Sequence, residues 1–513
     1  MDSPTVRRCT SALCFATLGL LASREAYAQS ETVHGVRSYR TSHEVEIVEE
    51  LVEFLSLPNN AADIPAIRRN AEAILEMMAR RGIEGRLLET DGAPYVYGEL
   101  EVPGATRTIL FYAHYDGQAV DTSRWVGHHP YEPVLRDDAL EAGGQIIEFP
   151  SQGRFENDWR IFARSASDDK SPIVAIMVAL DAIQANLRKP TSNLKFIFEG
   201  DEEAGSPNLG FVAREYGDLL AADLAIAADG PTDPSGLPTM KFGARGIVSV
   251  EITTYGPLRP LHSGHYGNWA PNPAMRLAHL LASMKDPRTG RVLVEGFYDD
   301  VVELSEFERA AIAAAPNDDA ERMYALAFAE PEAQGQRLAL INLPSLNVRG
   351  LRSAWVGREA RTVVPDRAIA NIDLRLVKNV DPREQLGRLI AHIEKQGYDI
   401  VSEEPDPETR RRHPKLARVV SSDGYPAYRT QMDLPIAQAL ISSVEEHMGQ
   451  GMVKIPTSGG SVPLYWFTDV LGLPTVSVPM VNHDNNQHSP NENLRLGNLW
   501  SGIELFASVM MMR

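Results

Sequence analysis

Two stretches near the start of the chain carry apolar residues every three or four positions. Residues 44–56 (EVEIVEELVEFLS) and 64–81 (IPAIRRNAEAILEMMARR) each predict an amphipathic helix. The second has Pro65 in its first turn and Gly82 just past its end, as helix termini favour. Short β-rich apolar runs follow: TILFYA (108–113), LKFIF (194–198), DLAIAA (223–228) and, much later, PTVSVP (474–479). Helical stretches such as SPIVAIMVALDAIQAN (171–186) lie between them. Strands alternating with helices predict an α/β sandwich around a buried, largely parallel sheet. From 244 to 408 the pattern changes. GIVSVEITTYG (246–256) and AIANIDLRLV (368–377) alternate apolar with polar, as half-exposed antiparallel strands do, and two helical segments accompany them. An α+β domain inserted into the first is therefore expected. The Pro- and charge-rich stretch 403–415 serves as return linker, so the first domain comprises 29–243 and 409–513.

The first 28 residues read differently. VRR, the apolar SALCFATLGLLA and AYA before Gln29 form the three parts of an export signal, which predicts a periplasmic or secreted protein. The apolar run is too short for a permanent anchor, so no membrane association is expected of the mature chain. Cys9 and Cys14, the only cysteines, lie within it. The mature chain thus lacks disulfides, thiol nucleophiles and thiolate ligands. Any metal must be held by His, Asp and Glu, a donor set that suits zinc, manganese or cobalt. A formal charge of −19 argues against nucleic acid or anionic membrane as partner.

Ionisable residues collect where the apolar runs end. TILFYA leads into His114 and Asp116, LKFIF into Glu199, Asp201, Glu202 and Glu203, and DLAIAA into Asp229. After PTVSVP come His483, Asp484, His488 and Glu492, and Asp168 and Asp169 precede the helical stretch at 171. Any one cluster alone reads as a cap or a solvated loop. Together they mark one edge of an open α/β sheet, where loops converge and ligands bind. Several carboxylates and imidazoles converging there are what two divalent cations require.

YAHYDG, RSASDDK, EGDEEAGS, AADG and HSPNE occur in the order and approximate spacing of the carnosinase, aminoacylase and carboxypeptidase G-like family of dizinc hydrolases. The chain resembles most its longer, carnosinase-like dipeptidases, over nearly all of the mature sequence. The resemblance implies a zinc-exopeptidase-like catalytic sandwich with an inserted lid and dimerisation domain, two divalent ions per subunit (zinc, with manganese or cobalt as alternatives) and a homodimer. It further implies that His114 and Asp229 bind one metal, that Glu203 and His488 bind the other, and that Asp168 bridges both. Asp116 would orient His114, and Glu202 would act as general base on a metal-bridging water. In the inserted domain, His262 resembles the histidine that stabilises the oxyanion in a neighbouring subunit's site. Arg375 and the loop Ser458, Gly459, Gly460 and Ser461 resemble the groups that grip the substrate's free carboxylate. The family pattern also implies a cis peptide between Asp168 and Asp169, and a glycine where this chain has Ser165. Trp125 and Tyr131 are expected at the entrance. The implied activity is hydrolysis of dipeptides or short peptides with a free carboxyl terminus. The alternative is removal of acyl groups from N-acyl amino acids at the same site.

Overall fold

A computed structural model describes residues 33–513, which form two compact units. The export signal expected at 1–28 lies outside the described residues. The first unit comprises residues up to Met240 with Gln431–Val453 and Val470–Arg513. Its sheet runs in the order Glu84–Leu88, Tyr95–Leu100, Asn193–Glu199, Thr108–His114, Leu224–Ala227 and Thr475–Ser477. Thr239–Lys241 and Val453–Ile455, at each of which the chain passes from the first unit to the second, complete it. The last four of the first six strands pair in parallel, and the two at the edge are antiparallel. The parallel strands read as continuous apolar runs because both faces are covered. In Thr108–His114 every residue after the first is buried.

Helix Lys170–Ala185 is buried along almost its whole length, as a helix apolar on all sides must be. It packs against helices Leu496–Met510 and Glu44–Leu55. Helix Ile64–Arg80 starts where Asp63 accepts a hydrogen bond from the Ala66 amide, and Gly82 follows its end at φ 73°. A smaller antiparallel sheet joins Asn493–Arg495, Arg160–Phe162, Val134–Arg136 and Ile146–Ile147. It ties the segment ahead of Asp168 to the segment that follows His488.

The second unit comprises Lys241–Thr430 and Lys454–Asp469. Its five-stranded sheet has the order Ser345–Arg352, Arg367–Leu376, Gly246–Tyr255, Leu416–Ser421 and Asp399–Val401. Register pairs Val248 with Leu374, Val250 with Ile372 and Ile252 with Ala370. All six are buried against helices Pro273–Met284 and Pro382–Lys395. Those helices begin at Asn272 and Asp381, whose side chains accept from the amides of the first turn. Because side chains alternate across a strand, Arg375 is carried on the face opposite Leu374.

The return to the first unit comes later than the linker at 403–415 implies. Pro407–Arg412 is a short helix, and Leu416–Ser421 pairs with Gly246–Tyr255. A central strand needs main-chain partners on both sides, and this segment supplies the second. No helix among the described residues is long and apolar enough to cross a membrane.

Ile372 is fully buried at the centre of the second unit's core. Ile372→Ala is expected to lower stability by about 2–5 kcal/mol, read as a shift of the urea midpoint for that unit.

Candidate metal centre

His114 ends the Thr108–His114 strand, and register sets it beside Glu199, the last residue of its parallel neighbour. Glu202 and Glu203 lie in the turn three and four residues further on, and Asp229 follows Leu224–Ala227. Asp168 comes from the turn before helix Lys170–Ala185, joined to Asp169 by a cis peptide. His488 comes from the loop after Thr475–Ser477 and sits in the left-handed region at φ 60°. For a residue with a Cβ that conformation is strained and persists only where the surroundings hold it.

Asp168 is the point on which these side chains converge. His114 Nε2 lies 2.9 Å from its Oδ1, and His488 Nε2 lies 3.0 Å from its Oδ2. His488 Nε2 is also 3.3 Å from Glu203 Oε2. Two donor sets result: His114, Asp168 and Asp229, and Asp168, Glu203 and His488. Within each set the ligand atoms lie within 4.8 Å of one another. Glu202 belongs to neither. Its Oε2 is 4.0 Å from His114 Nε2.

Such a concentration of carboxylates away from water disturbs every proton affinity in it. Burial, with Asp168 beside it, raises Glu203 to about 7. Burial also pushes Glu202 well above the usual carboxylate range, despite the opposing pull of His114. Burial should neutralise Asp168 too, yet hydrogen bonds from His114 and His488 hold it well below the ordinary value. The bond to Asp168 in turn raises His488 to about 9, against the effect of burial. Imidazole and carboxylate donors in two sets sharing a buried carboxylate fit a pair of divalent cations, which would replace these protons as the neutralising charge.

The surroundings fix the donors. His114 Nδ1 meets Asp116 Oδ1 at 3.2 Å. Asp116 also accepts from the amides of Glu202 and Glu203 at 3.2 and 2.9 Å, so one buried carboxylate aligns the histidine and the acidic turn. Glu492, completely buried, accepts from the amides of Ser165, Ser167 and Asp168 at 3.2, 2.9 and 2.9 Å. It pairs with Arg164 at 2.6 Å. Gln118 donates to Glu203, and Gln487 to Asp168, at 2.7 Å each. Glu492, Gln118 and Gln487 have no role in the sequence reading. Gln487 and Glu492 stand within the motif around His488, but their partners lie over three hundred residues away.

Ser165 explains the glycine expected there. It sits at φ 61°, the region glycine enters freely. Its hydroxyl compensates, accepting from Asn59 Nδ2 at 2.8 Å. Trp125 does not line an entrance. It is buried, with the Arg164 guanidinium 5.6 Å from its ring centre.

In the second unit, Arg375 Nη1 donates to Ser461 Oγ at 2.7 Å and Nε to Asp373 at 3.1 Å. The guanidinium and the Ser458–Ser461 loop are thus adjacent. His262 is exposed and caps the short helix Ser263–Tyr266. Its Nδ1 accepts from the Gly264 amide at 3.0 Å, so in the neutral ring Nε2 carries the proton.

A parallel sheet whose strand ends carry paired histidine and carboxylate donor sets, with a further glutamate alongside, defines a metal-dependent hydrolase of the α/β class. Residues 110–512 match the profile of Peptidase family M20/M25/M40, and the chain belongs to that family. It is similar to the Cys-Gly metallodipeptidase of Schizosaccharomyces pombe, 25% identical over 90% of this chain and 94% of that one. The human Beta-Ala-His dipeptidase is 25% identical over 92% and 91%. Among solved structures, an M20 family metallo-carboxypeptidase from Sulfolobus solfataricus superposes with a TM-score of 0.73 at 30% identity, covering 91% of this chain and 99% of that one. A Bacillus subtilis member with a TM-score of 0.52 is described as a dinuclear metal binding peptidase. The protein is a peptidase with an α/β fold of the zinc-exopeptidase kind.

Glu492→Gln keeps the side chain's size while removing its charge from Arg164 and the loop amides. It is expected to weaken divalent-metal binding about 10–100-fold, as changes to groups that orient ligands do, measured by titration against a competing chelator.

Proposed function

We propose that this protein is an exported dipeptidase that uses two divalent ions, zinc first among them, to cleave dipeptides and short peptides bearing a free carboxyl terminus. The observation that carries the reading is Asp168, shared by two donor sets, with the non-donor Glu202 4.0 Å from His114. The names of the relatives, Cys-Gly and Beta-Ala-His dipeptidases, favour dipeptides over N-acyl amino acids as substrates. The sequence signal at 1–28 supports export to a periplasm or beyond.

In this reading His114, Asp168 and Asp229 hold one ion, and Asp168, Glu203 and His488 the other. When bound, such ions polarise the scissile carbonyl and make water acidic enough to attack it near neutral pH. Glu202 takes a proton from the attacking water and returns it to the departing amine nitrogen. A half-buried carboxyl of raised proton affinity suits both halves of that task. Asp116 keeps His114 in the tautomer with Nε2 free to act as ligand. His262 offers its Nε2–H to the oxyanion in a neighbouring subunit's site, which makes a homodimer the working form. Arg375 grips the substrate carboxylate through its planar fork, and the Ser458–Ser461 loop adds main-chain amides.

Zinc-reconstituted protein, given a pooled library of dipeptides and N-acyl amino acids and followed by mass spectrometry, is expected to consume dipeptides selectively. Glu202→Ala should reduce the rate roughly 10²–10⁴-fold. Consumption of acyl amino acids alone would assign the site to deacylation instead. His262→Ala should cripple turnover with metal content unchanged, and retained turnover would remove the oxyanion role. Amidation of the dipeptide's carboxyl terminus should abolish cleavage by the wild type.

A further inference from the structure

A second concavity lies wholly within the second unit. Its volume is about 540 Å³, inside the range of roughly 300–1,000 Å³ common to small-molecule sites. Four cations, Arg245, Lys285, Arg288 and Arg291, line it against a single carboxylate, Glu332. On a chain with a formal charge of −19 this local excess runs against the composition.

Two of the cations have other employment. Lys285 Nζ lies 2.5 Å from Glu332 Oε2, and the Arg288 side chain is largely exposed with Asp286 3.9 Å away. The other two are poised differently. Arg245 is 8% exposed; its Nη2 donates to Leu343 O and Ser345 Oγ at 2.8 Å each. Its Nε is buried without a hydrogen-bond partner. Burial and the neighbouring Arg375 lower its proton affinity to about 10, against the opposing pull of Asp373. A buried guanidinium with an unsatisfied N–H is costly unless a ligand supplies the missing acceptor. Arg291 holds its guanidinium carbon 4.3 Å from the centre of the Tyr298 ring, and a guanidinium fork is shaped for a planar oxyanion.

Most of the rest of the wall is apolar, and it is built rather than incidental. Val292 and Leu346 are 4% and 3% exposed and belong to the core of the unit. The turn bearing Arg288 and Arg291 closes through Gly290 at φ 67°, where a Cβ would lie 2.7 Å from the Glu332 carbonyl oxygen. Only glycine allows that approach. It brings the cationic turn and the Glu332 segment together as two sides of the cavity.

We propose that this cavity binds a small organic anion, an oxyanion head group on an apolar body, with Arg245 and Arg291 taking the head and Tyr298, Val292 and Leu346 the body. A carboxylate and a phosphate present the same chemistry to a guanidinium fork, so the head group is left to experiment. The site adjoins the one proposed for the substrate carboxylate, since the Arg245 amide donates to Gly460 O at 3.1 Å, but neither Arg375 nor the Ser458–Ser461 loop lines it.

Calorimetric titration of the metal-loaded enzyme with hexanoate, hexyl phosphate and hexylammonium tests this. One saturable site per chain is expected for an anion, the tighter of the two naming the head group, and none for hexylammonium. The double variant Arg288→Gln, Arg291→Gln should keep its thermal midpoint and bind the anion about tenfold or more weakly, the loss expected for a charge-assisted contact. Arg375→Ala should bind as the wild type does. Failure of both anions to bind, equal binding of hexylammonium, or indifference to the double variant overturns the proposal. Loss of binding in Arg375→Ala also overturns it, since the anion would then sit at the substrate site.

Discussion

A carboxylate removed from water must find donors to replace the solvent, and Asp168 meets that condition from several directions at once. His114 and His488 approach its two oxygens, and Gln487 adds a third donor. Its own amide is tied to Glu492. The arrangement keeps Asp168 charged where burial would protonate it, and each partner in turn feels that charge. The candidate centre is one coupled electrostatic object rather than six independent side chains. Displacing the loop that presents Asp168 would disturb both donor sets together.

Position within the sheet makes the coupling reachable. Parallel strands end on the same side, so His114, the acidic turn and Asp229 arrive at one edge without any long-range adjustment. The antiparallel sheet of the second unit does the complementary task. By alternation it buries Ile372 and Leu374 on one face and presents Asp373 and Arg375 on the other. The first unit thus concentrates negative charge at a strand edge, while the second holds arginines in fixed forks.

The parts of this legible in the sequence were those with local causes. The apolar runs at 108–113, 194–198, 223–228 and 474–479 correspond to strands because burial on both faces requires continuous apolar residues. The ionisable cluster after each is likewise local, and the structure brings His114, Asp168, Glu202, Glu203, Asp229 and His488 together. Less visible was whatever depends on partners far along the chain. Edge strand Glu84–Leu88 is mostly exposed and has no apolar signature. Ser345–Arg352 is interrupted where the register shifts between Val348 and Gly350. Leu416–Ser421 becomes a strand because Gly246–Tyr255 needs a second neighbour, which no local pattern states. Glu492 gave no sign of its role because its partners, Arg164 and the amides of 165–168, are set beside it only by the fold.

The first unit is assembled from three separate stretches of chain, and that division orders events during synthesis. Strand Thr475–Ser477 pairs with Leu224–Ala227, and helix Leu496–Met510 covers Lys170–Ala185 across more than three hundred residues. Contacts so distant in sequence form late and slowly. His488 and Glu492 are synthesised long after His114, Asp168, Glu203 and Asp229, so a nascent chain carries most of the acidic donors well before it can arrange them. The second unit has nearly all its strands by then and can close first. The donor sets, which span His114 to His488, are therefore incomplete until the third stretch of the first unit is in place.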